Sequence, residues 1–430
     1  MANIQVIKIN PFFTVVTEEM DYLSSASFGV FFAHGSRYED KENQGICHLI
    51  EHMLFKGTKS KTAQQIAETA ESLGALLDGF TSKEFCGIYC RYLADNFDKI
   101  LDLIGEIISS PRFDESDLEK EKNVIEQEIT ETLEDPREHV FTLLYEALFP
   151  NHPLSFPVAG TVETVRAITK EQLVDYWHNR LLPSKLCVSA AGKINHGKLI
   201  ERLMSNTHLK FPNKPQDYLK ATIQNERTYI LQNRQDLSQI HVAAAGLTFS
   251  YYDERRYALS VLDNILGGSM SSRFFQRLRE KEGLVYTIST FYNLYSDVGL
   301  FGDYYITDAR NYSKVVKFGI EEVLKLKERG ITKDELQRAV NFCKGMLALE
   351  LENPMSRMMR NARNCLLLDK IISIEEVMSA YDRLTVEDIN NITNILDPNV
   401  YSIALIGQQV ENLKDIKERI GKPIKVIIKD

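Results

Sequence analysis

The sequence predicts an α+β protein whose two domains repeat the same order of elements. At 430 residues, the chain is too long for one ordinary hydrophobic core and suits about two domains. Segments with strand and helix periodicity follow each other along its whole length. A polar segment with two prolines at 209–226 lacks periodicity, and the pattern starts again after it. We therefore expect a first domain at 1–213 and a second domain at 222–430.

The first predicted domain has a buried-type strand, ASFGVFFAHGS, at 26–36. A helix at 62–74 ends at Gly74, a residue type that commonly terminates helices. The next predicted elements are two strands within 75–93, an amphipathic helix at 96–110 stopped by Pro111, a long helix at 114–135 capped by Asp114, a helix at 169–181 and a strand at 185–194.

The second predicted domain repeats this order by pattern and not by residue identity. Its elements are a strand at 239–249, a helix at 254–267, two strands at 284–295 and 299–307, helices from Tyr312 onward and a final strand at 400–407. The two halves differ in one respect that matters for function, because only the first carries a cluster of histidines.

Charge and composition narrow the range of partners. The formal net charge of −9 argues against nucleic acid, which would favour a basic surface. No apolar run is long enough to span a bilayer. Residues 1–20 lack the features of a secretory signal and of an Arg- and Ser-rich import leader. We therefore expect a cytoplasmic protein with neither a membrane nor a nucleic-acid partner.

The six cysteines form neither a disulfide framework nor a CxxC pair. Cys86 and Cys90 share one predicted strand, so they lie about 13 Å apart, which is too far for a disulfide. We expect free, buried thiols in a reducing compartment.

The segment GICHLIEHMLFKGT at 45–58 places two histidines and a glutamate inside an apolar run. It contains no helix breaker, and Asn43 can cap it, so His48 and His52 should lie one helical turn apart with Glu51 beside them. Burying three titratable groups costs free energy unless something pairs with them. Zinc is bound by such residues, and a catalytic zinc site uses about three protein ligands.

The long helix at 114–135 is the best source of a third ligand. Its candidate carboxylates are those of Glu121, Glu126, Glu128 and Glu131. Glu121 and Glu128 are seven residues apart and project from one face, and Val124 and Ile125 between them suggest that this face turns inward. We expect the other two carboxylates to face solvent.

Glu51 is placed to assist hydrolysis at such a site. A bound metal lowers the pKa of its water towards about 7, and a neighbouring carboxylate can pass the proton to a leaving amine. The alternative is a closed structural metal site, which would need a fourth protein ligand. Cys47 is the nearest candidate, but on a helix it points roughly 100° away from His48.

The order HxxEH reverses the commoner HExxH and is typical of inverzincins. GICHLIEHMLFKGT closely resembles the opening motif of peptidase family M16, and EKNVIEQEI resembles that family's third-ligand segment. HPLSFPVAGTVETV and GGSMSSRFFQRLREKEGLVYTI resemble further family motifs. The resemblance implies a zinc-dependent endopeptidase with His48, His52 and Glu128 as zinc ligands, Glu51 as general base and Glu121 as a supporting glutamate.

The same resemblance implies a fold and an assembly. Each of two related α/β domains would hold a mostly antiparallel sheet covered by helices, and the chain would form one half of a hollow clamshell. A homodimer with composite active sites is therefore expected. Arg279 and Tyr286 match residues that bind substrate from the second half, and Tyr286 is suited to donate a hydrogen bond to a developing oxyanion.

The segment LLDGFTSKEF at 76–85 matches a substrate-binding region of the family. Asp78 stands where the family often has Asn, and Glu84 and Phe85 are the other candidate substrate-binding residues. The edge strand here is suited to bind a peptide by strand addition, which reads backbone more than side chains. We expect unfolded peptides or small proteins as substrates.

One alternative function stays open. Some M16 relatives are non-catalytic or partner-dependent subunits of heteromeric peptidases. Such subunits usually lack the HxxEH cluster, whereas this chain has both histidines, Glu51 and Glu128.

Overall fold

The computed structural model describes residues 3–205, 220, 227–408 and 424–429. The strands are β1 Asn3–Asn10, β2 Phe13–Glu19, β3 Ser25–Phe32, β4 Leu76–Thr81, β5 Cys86–Leu93, β6 Leu186–Gly192, β7 Arg227–Asn233, β8 Ile240–Thr248, β9 Val285–Leu294, β10 Gly299–Thr307, β11 Ser402–Gly407 and β12 Ile424–Lys429. The helices are α1 Ile46–Leu54, α2 Ala63–Ser72, α3 Phe97–Ser109, α4 Glu115–Glu134, α5 Pro136–Leu148, α6 Val162–Ala167, α7 Lys170–Tyr176, α8 His196–Ser205, α9 Arg256–Leu266, α10 Tyr312–Arg329, α11 Lys333–Glu350, α12 Pro354–Arg363, α13 Ile374–Asp382 and α14 Val386–Asn391.

The chain divides into two compact units, and each includes a segment from the other half of the sequence. The first unit contains Met1–Glu131, Phe156–Leu219 and Leu349–Ile372, and the second contains Thr132–Ser155, Lys220–Ala348 and Ser373–Asp430. The predicted linker at 209–226 lies outside the described residues except for Lys220. The predicted boundary between 213 and 222 lies there too and stays a prediction.

Each unit contains a six-stranded, mostly antiparallel sheet, as the fold class predicted. The first sheet has the order β1-β2-β6-β3-β5-β4, with β2 and β6 parallel. The second has the order β12-β7-β11-β8-β10-β9, with β7 parallel to both β11 and β12. The strand predicted as the last, at 400–407, is β11, so that prediction is wrong because β12 follows it.

Alternation along the strands gives each sheet two apolar faces. In the first unit, Phe28 and Val30 pack with residues of α1 and α3, whereas Phe31 packs with Met358 of α12. In the second unit, one face packs against α9 and α10, and the other packs against α5. The segment that comes from the other half of the sequence therefore covers one sheet face in each unit.

Proline sets the start of these two covering helices. Pro136 and Pro354 each occupy the first turn, where the missing N–H leaves no helix hydrogen bond unmade. Asp135 and Asn353 precede them and accept a backbone N–H as N-caps. Because the residue before proline avoids the helical region, α4 ends at α5 and α11 ends before α12.

Two of the remaining expectations concern cysteines and membrane spans. All six cysteines are free thiols, and all but Cys343 are buried, as predicted. Along the described chain, no helix combines the length and apolar character needed to cross a bilayer.

Candidate metal centre

Helix α1 begins at a backbone position that requires glycine. Gly45 has a φ of +88°, and a Cβ there would lie 2.5 Å from the carbonyl oxygen of Ala159. The carboxylate of Glu39 accepts hydrogen bonds from the N–H groups of Gly45 (2.9 Å) and Cys47 (3.0 Å). Asn43 bonds a different backbone N–H, so its prediction as the N-cap is wrong. Glu39 lies too far back in the sequence for local capping rules to identify it.

The segment at 159–164, within the first unit, packs against the start of α1 from the other side. The Thr164 hydroxyl donates a hydrogen bond to the carbonyl oxygen of Gln44 at 2.9 Å. Gly160 has a φ of +76°, and a Cβ there would clash with the backbone of Gln44. This packing gives a structural reason for the motif HPLSFPVAGTVETV, which fixes the position of the helix that carries the histidines.

Helices α1 and α4 bring together His48, His52 and Glu128. An Oε2 atom of Glu128 lies 3.8 Å from Nε2 of His48 and 3.7 Å from Nε2 of His52. One ligand atom from each residue lies within 4.8 Å of the others, and within the described residues this is the one such group of three. Two imidazole nitrogens and a carboxylate oxygen are a donor set that zinc favours, and three protein ligands leave a position for water.

Glu121 supports this group rather than joining it. Its carboxylate bonds Nδ1 of His52 at 3.1 Å and the ammonium of Lys56 at 2.8 Å, and its side chain is 7% exposed. Burial alone would raise the pKa of Glu121, but the bonds to His52 and Lys56 outweigh burial and lower the pKa. A carboxylate on the outer nitrogen of a ligating histidine fixes the ring and its tautomer. The sequence did not single out Lys56.

The two histidines have different electrostatic surroundings. Burial, followed by the nearby charge of His52, lowers the pKa of His48 to about 4, so that His48 is neutral at pH 7. Burial also disfavours charge on His52, but the hydrogen bond that its Nδ1–H donates to Glu121 and the charge of Glu128 outweigh burial and raise the pKa of His52. A neutral imidazole is the form that binds a metal.

Glu51 is held by strand β4. The Thr81 hydroxyl donates a hydrogen bond of 2.6 Å to Oε2 of Glu51. A Cβ on Gly79 would lie 2.9 Å from Cγ of Glu51. Burial raises the pKa of Glu51 in spite of the bond from Thr81, which suits a group that accepts a proton near neutral pH. Sequence reasoning missed Gly79 and Thr81, although their spacing of two on a strand places them on one face.

The inward face of α4 is narrower than predicted. Ile125 is fully buried, but Val124 is 40% exposed, so its predicted inward position is wrong. At about 100° per residue, Val124 and Ile125 flank the face of Glu121 and Glu128 on opposite sides, so helical spacing alone does not separate them. The buried residues of α4 are Leu118, Glu121, Lys122, Ile125 and Ile129, so the buried face is centred on the Ile125 side and leaves Val124 outside it.

The segment at 76–85 holds its three predicted substrate-binding residues in different surroundings. Exposed Asp78 accepts a hydrogen bond of 2.9 Å from the Tyr89 hydroxyl. Glu84 is buried and pairs with the guanidinium of Arg37 at 2.7 Å. The ring of Phe85 packs edge-on against Phe80 at 5.3 Å between centroids. Their role in substrate binding stays a prediction.

Arg279 and Tyr286 belong to the second unit. Arg279 lies in a π-helical segment, Phe275–Lys281, and Tyr286 lies on β9. The guanidinium of Arg279 is 5.8 Å from the ring centre of Tyr286 and 4.8 Å from that of Phe275. Tyr286 is 71% exposed, which is a high exposed fraction for a large aromatic side chain on a strand. Their predicted role at the metal group stays a prediction.

Two family models match this chain. Residues 14–162 match "Insulinase (Peptidase family M16)", and residues 167–342 match "Peptidase M16 inactive domain". The first match contains the histidines and Glu128, and the second contains Arg279 and Tyr286.

Relatives named as zinc proteases match nearly the whole chain, and two solved structures have a similar fold. The chain is 34% identical to the uncharacterized zinc protease YmxG of Bacillus subtilis, covering 91% of this chain and 95% of that protein. It is 32% identical to an uncharacterized zinc protease of Rickettsia felis, and the match covers 94% of this chain and 98% of that protein. A peptidase M16 inactive domain from Pseudomonas fluorescens has the same fold, with a TM-score of 0.87, 21% identity and coverage of 95% and 99%. A protease from Helicobacter pylori also has a similar fold, with a TM-score of 0.86 and 19% sequence identity. The match covers 94% of this chain and 99% of that one.

Proposed function

Because the chain belongs to peptidase family M16, we propose that it is a zinc-dependent endopeptidase that cleaves unfolded peptides or small proteins. The observation that carries the proposal is the group of His48, His52 and Glu128 with Glu51 beside it. The relatives named zinc proteases support the same chemistry.

His48 and His52 would hold zinc through Nε2, and Glu128 would hold it through a carboxylate oxygen. Bound there, zinc would supply a Lewis acid that lowers the pKa of water towards about 7. Glu121 keeps the His52 ring oriented, and Lys56 keeps the carboxylate of Glu121 in place.

Glu51 supplies the proton transfer in this proposal. Its carboxylate takes a proton from the attacking water as the water oxygen bonds to the peptide carbonyl carbon. The same carboxylic acid then gives the proton to the amine nitrogen as the C–N bond breaks. Thr81 holds one carboxylate oxygen of Glu51 and leaves the other available to the water.

We further propose that two copies of the chain form a homodimer that encloses the substrate in a chamber. Arg279 would then anchor a peptide carbonyl at the partner's metal group, and Tyr286 would donate a hydrogen bond to the developing oxyanion. The exposure of Tyr286 supports this proposal, since its hydroxyl is open to an incoming partner or substrate. We also propose a cytoplasmic location, as the sequence suggested.

A mixed pool of unstructured peptides, analysed by mass spectrometry, tests the activity. Zinc-loaded wild type should cleave it, and Glu51→Gln should bind zinc normally but cleave about 10²–10⁴-fold more slowly. Zinc content of both proteins is the control for metal binding. If Glu51→Gln also loses zinc, Glu51 is a ligand and not the base.

The second candidate is a subunit that needs a different partner for activity. The match of residues 167–342 to a domain described as inactive favours it. If neither wild type nor Glu51→Gln cleaves any peptide, although each binds zinc and forms a dimer, the result would support this candidate. It would also overturn the proposal of a homodimeric peptidase.

A further inference from the structure

A cavity of about 100 Å³ lies in the second unit between the sheet and helix α10. Its lining includes two small residues, Ala244 on β8 and Gly319 on α10. A Cβ built on Gly319 would meet no heavy atom within 4 Å. Engineered apolar cavities of about 150 Å³ bind benzene, so this space suits a smaller molecule of about four or five non-hydrogen atoms.

One carboxyl group lines this otherwise apolar space. Asp303 lies on β10 between Phe301 and Tyr305, which line the same cavity because alternate residues of a strand share a face. Among the described residues that line the cavity, there is no lysine, arginine or histidine. No hydrogen bond from the described part of the chain reaches the Asp303 side chain, and burial raises its pKa to about 7.

Three tyrosines stand around this carboxyl group. Tyr305, Tyr312 and Tyr401 line the cavity, and each interacts electrostatically with Asp303. Burial raises the pKa of all three, so their phenol groups are neutral at physiological pH and, among the described lining residues, only Asp303 can carry charge there. An acid within aromatic walls is the arrangement that binds organic cations, through charge and through the negative faces of the rings.

We propose that this cavity binds a small alkylammonium ion, with Asp303 as its counter-ion and the tyrosines as its walls. The ammonium group would restore the carboxylate to its charged form, and the alkyl part would fill space that water fills poorly. An inorganic cation would leave that apolar space unfilled. The site lies wholly within the second unit, so it is independent of the metal group and of the proposed peptidase activity.

Titration of the full-length protein with propylammonium chloride and with tetramethylammonium chloride tests the proposal. The readouts are isothermal titration calorimetry and the midpoint of thermal unfolding. Sodium chloride at equal ionic strength controls for salt, and 1-propanol controls for a neutral molecule of the same size. We expect saturable heat and a higher midpoint with at least one ammonium ion, and neither effect with the two controls.

Two variants test the site independently. Asp303→Asn keeps the shape and should weaken binding by at least about tenfold, since it removes the counter-charge. Gly319→Leu should fill the cavity and abolish binding, whereas Gly345→Leu is its matched control, since a Cβ on Gly345 of α11 also meets nothing within 4 Å. Circular dichroism confirms that each variant is folded.

Four results would overturn the proposal. Wild type without a saturable response to either ammonium ion would mean that the cavity does not bind small alkylammonium ions. An equal response to 1-propanol would mean a neutral ligand. Equal binding by wild type and a folded Asp303→Asn, or equal loss in Gly319→Leu and Gly345→Leu, would place the binding elsewhere on the protein.

Discussion

The two compact units share a strand order and differ in what lies between sheet and helices. The order β2-β6-β3-β5-β4 in the first corresponds to β7-β11-β8-β10-β9 in the second. In the first unit, α1 places Glu51 against β4 and both imidazoles beside the carboxylates of α4, and the space beside Glu51 is only about 20 Å³. In the second, the buried residues of α9 are apolar apart from Asn264, and the cavity of about 100 Å³ holds the carboxyl group of Asp303, which has no hydrogen-bond partner among the described residues.

This difference shows that the shared sheet does not determine the chemistry. Three polar groups under the helices of the first unit have partners close by: His52 pairs with Glu121, Glu51 with Thr81, and Glu39 with the start of α1. The second unit keeps Asp303 without such a partner among the described residues. Function resides in the side chains grafted onto each copy of the fold.

The largest expected effect is on folding stability, when Asp303 is replaced by asparagine and the second unit loses its buried carboxyl group. Its pKa is raised from 3.8 to about 7, so the folded protein keeps a proton that the unfolded chain releases. Wild-type stability should therefore fall as pH rises between these values, whereas Asp303→Asn should not show this fall. The variant should be more stable than wild type above pH 7, by less than the roughly 4 kcal/mol of the full shift because Asp303 is partly exposed to the cavity.

Urea unfolding of wild type and Asp303→Asn at several pH values measures this difference in the free energy of unfolding. Zinc is left out so that its release on unfolding does not contribute. A difference between wild type and Asp303→Asn that is constant across pH would show that Asp303 titrates as it does in the unfolded chain.

The next largest effect is on zinc affinity, and it distinguishes the proposed ligand Glu128 from the supporting residue Glu121. Glu128→Gln should lower zinc affinity by more than about 100-fold, because it removes a proposed ligand. Glu121→Gln should lower it by about 10–100-fold, since Glu121 only orients His52. Competition with a chromogenic chelator gives both affinities, and Asp303→Asn in the second unit is the control that should leave them unchanged. Equal affinity of Glu128→Gln and wild type would redirect the search for the ligand to Glu126 or Glu131.

A smaller effect is expected at Gly79 on β4. A methyl group there would push against Cγ of Glu51, so Gly79→Ala should reduce kcat/KM about tenfold through misplacement of the base. Zinc content should stay that of wild type, because neither histidine moves. Gly345→Ala is the matched control on α11, where the added methyl group meets nothing. Unchanged kcat/KM in Gly79→Ala would show that Glu51 adjusts without loss.

The smallest effect tests whether the two units cooperate across a dimer. Glu51→Gln and Tyr286→Phe subunits, each nearly inactive alone, should regain about a quarter of wild-type activity when mixed equally. Random exchange makes about half of the dimers hybrid, and each hybrid contains one intact site of two. Subunit exchange must be shown separately by labelled chains. No recovery despite exchange would argue that Tyr286 does not act at the partner's metal group.

Local sequence patterns predicted the elements and part of the site. The spacing of His48, Glu51 and His52 requires only a helix, and the seven-residue spacing of Glu121 and Glu128 requires only another. The prediction of Val124 as buried and of Asn43 as a cap failed, because the true helix face and the true cap depend on neighbouring elements.

Long-range contacts decided the rest. Thr81 and Lys56 reach Glu51 and Glu121 only because β4 and α4 pack beside α1. Asp303 gave no signal in the sequence, because an aspartate on a strand is unremarkable until Ala244 and Gly319 leave space around it.

Periodicities of two and about 3.6 residues were enough to predict most of the strands and helices, the HxxEH helix and the candidate carboxylates, but not strands β1, β2, β7 and β12. The tertiary structure decided which carboxylate faces both histidines and which one holds His52 in orientation. It also decided that α5 and α12 each join the unit formed mostly by the other half of the sequence. These outcomes depend on the packing of residues far apart in the chain, which no local periodicity encodes.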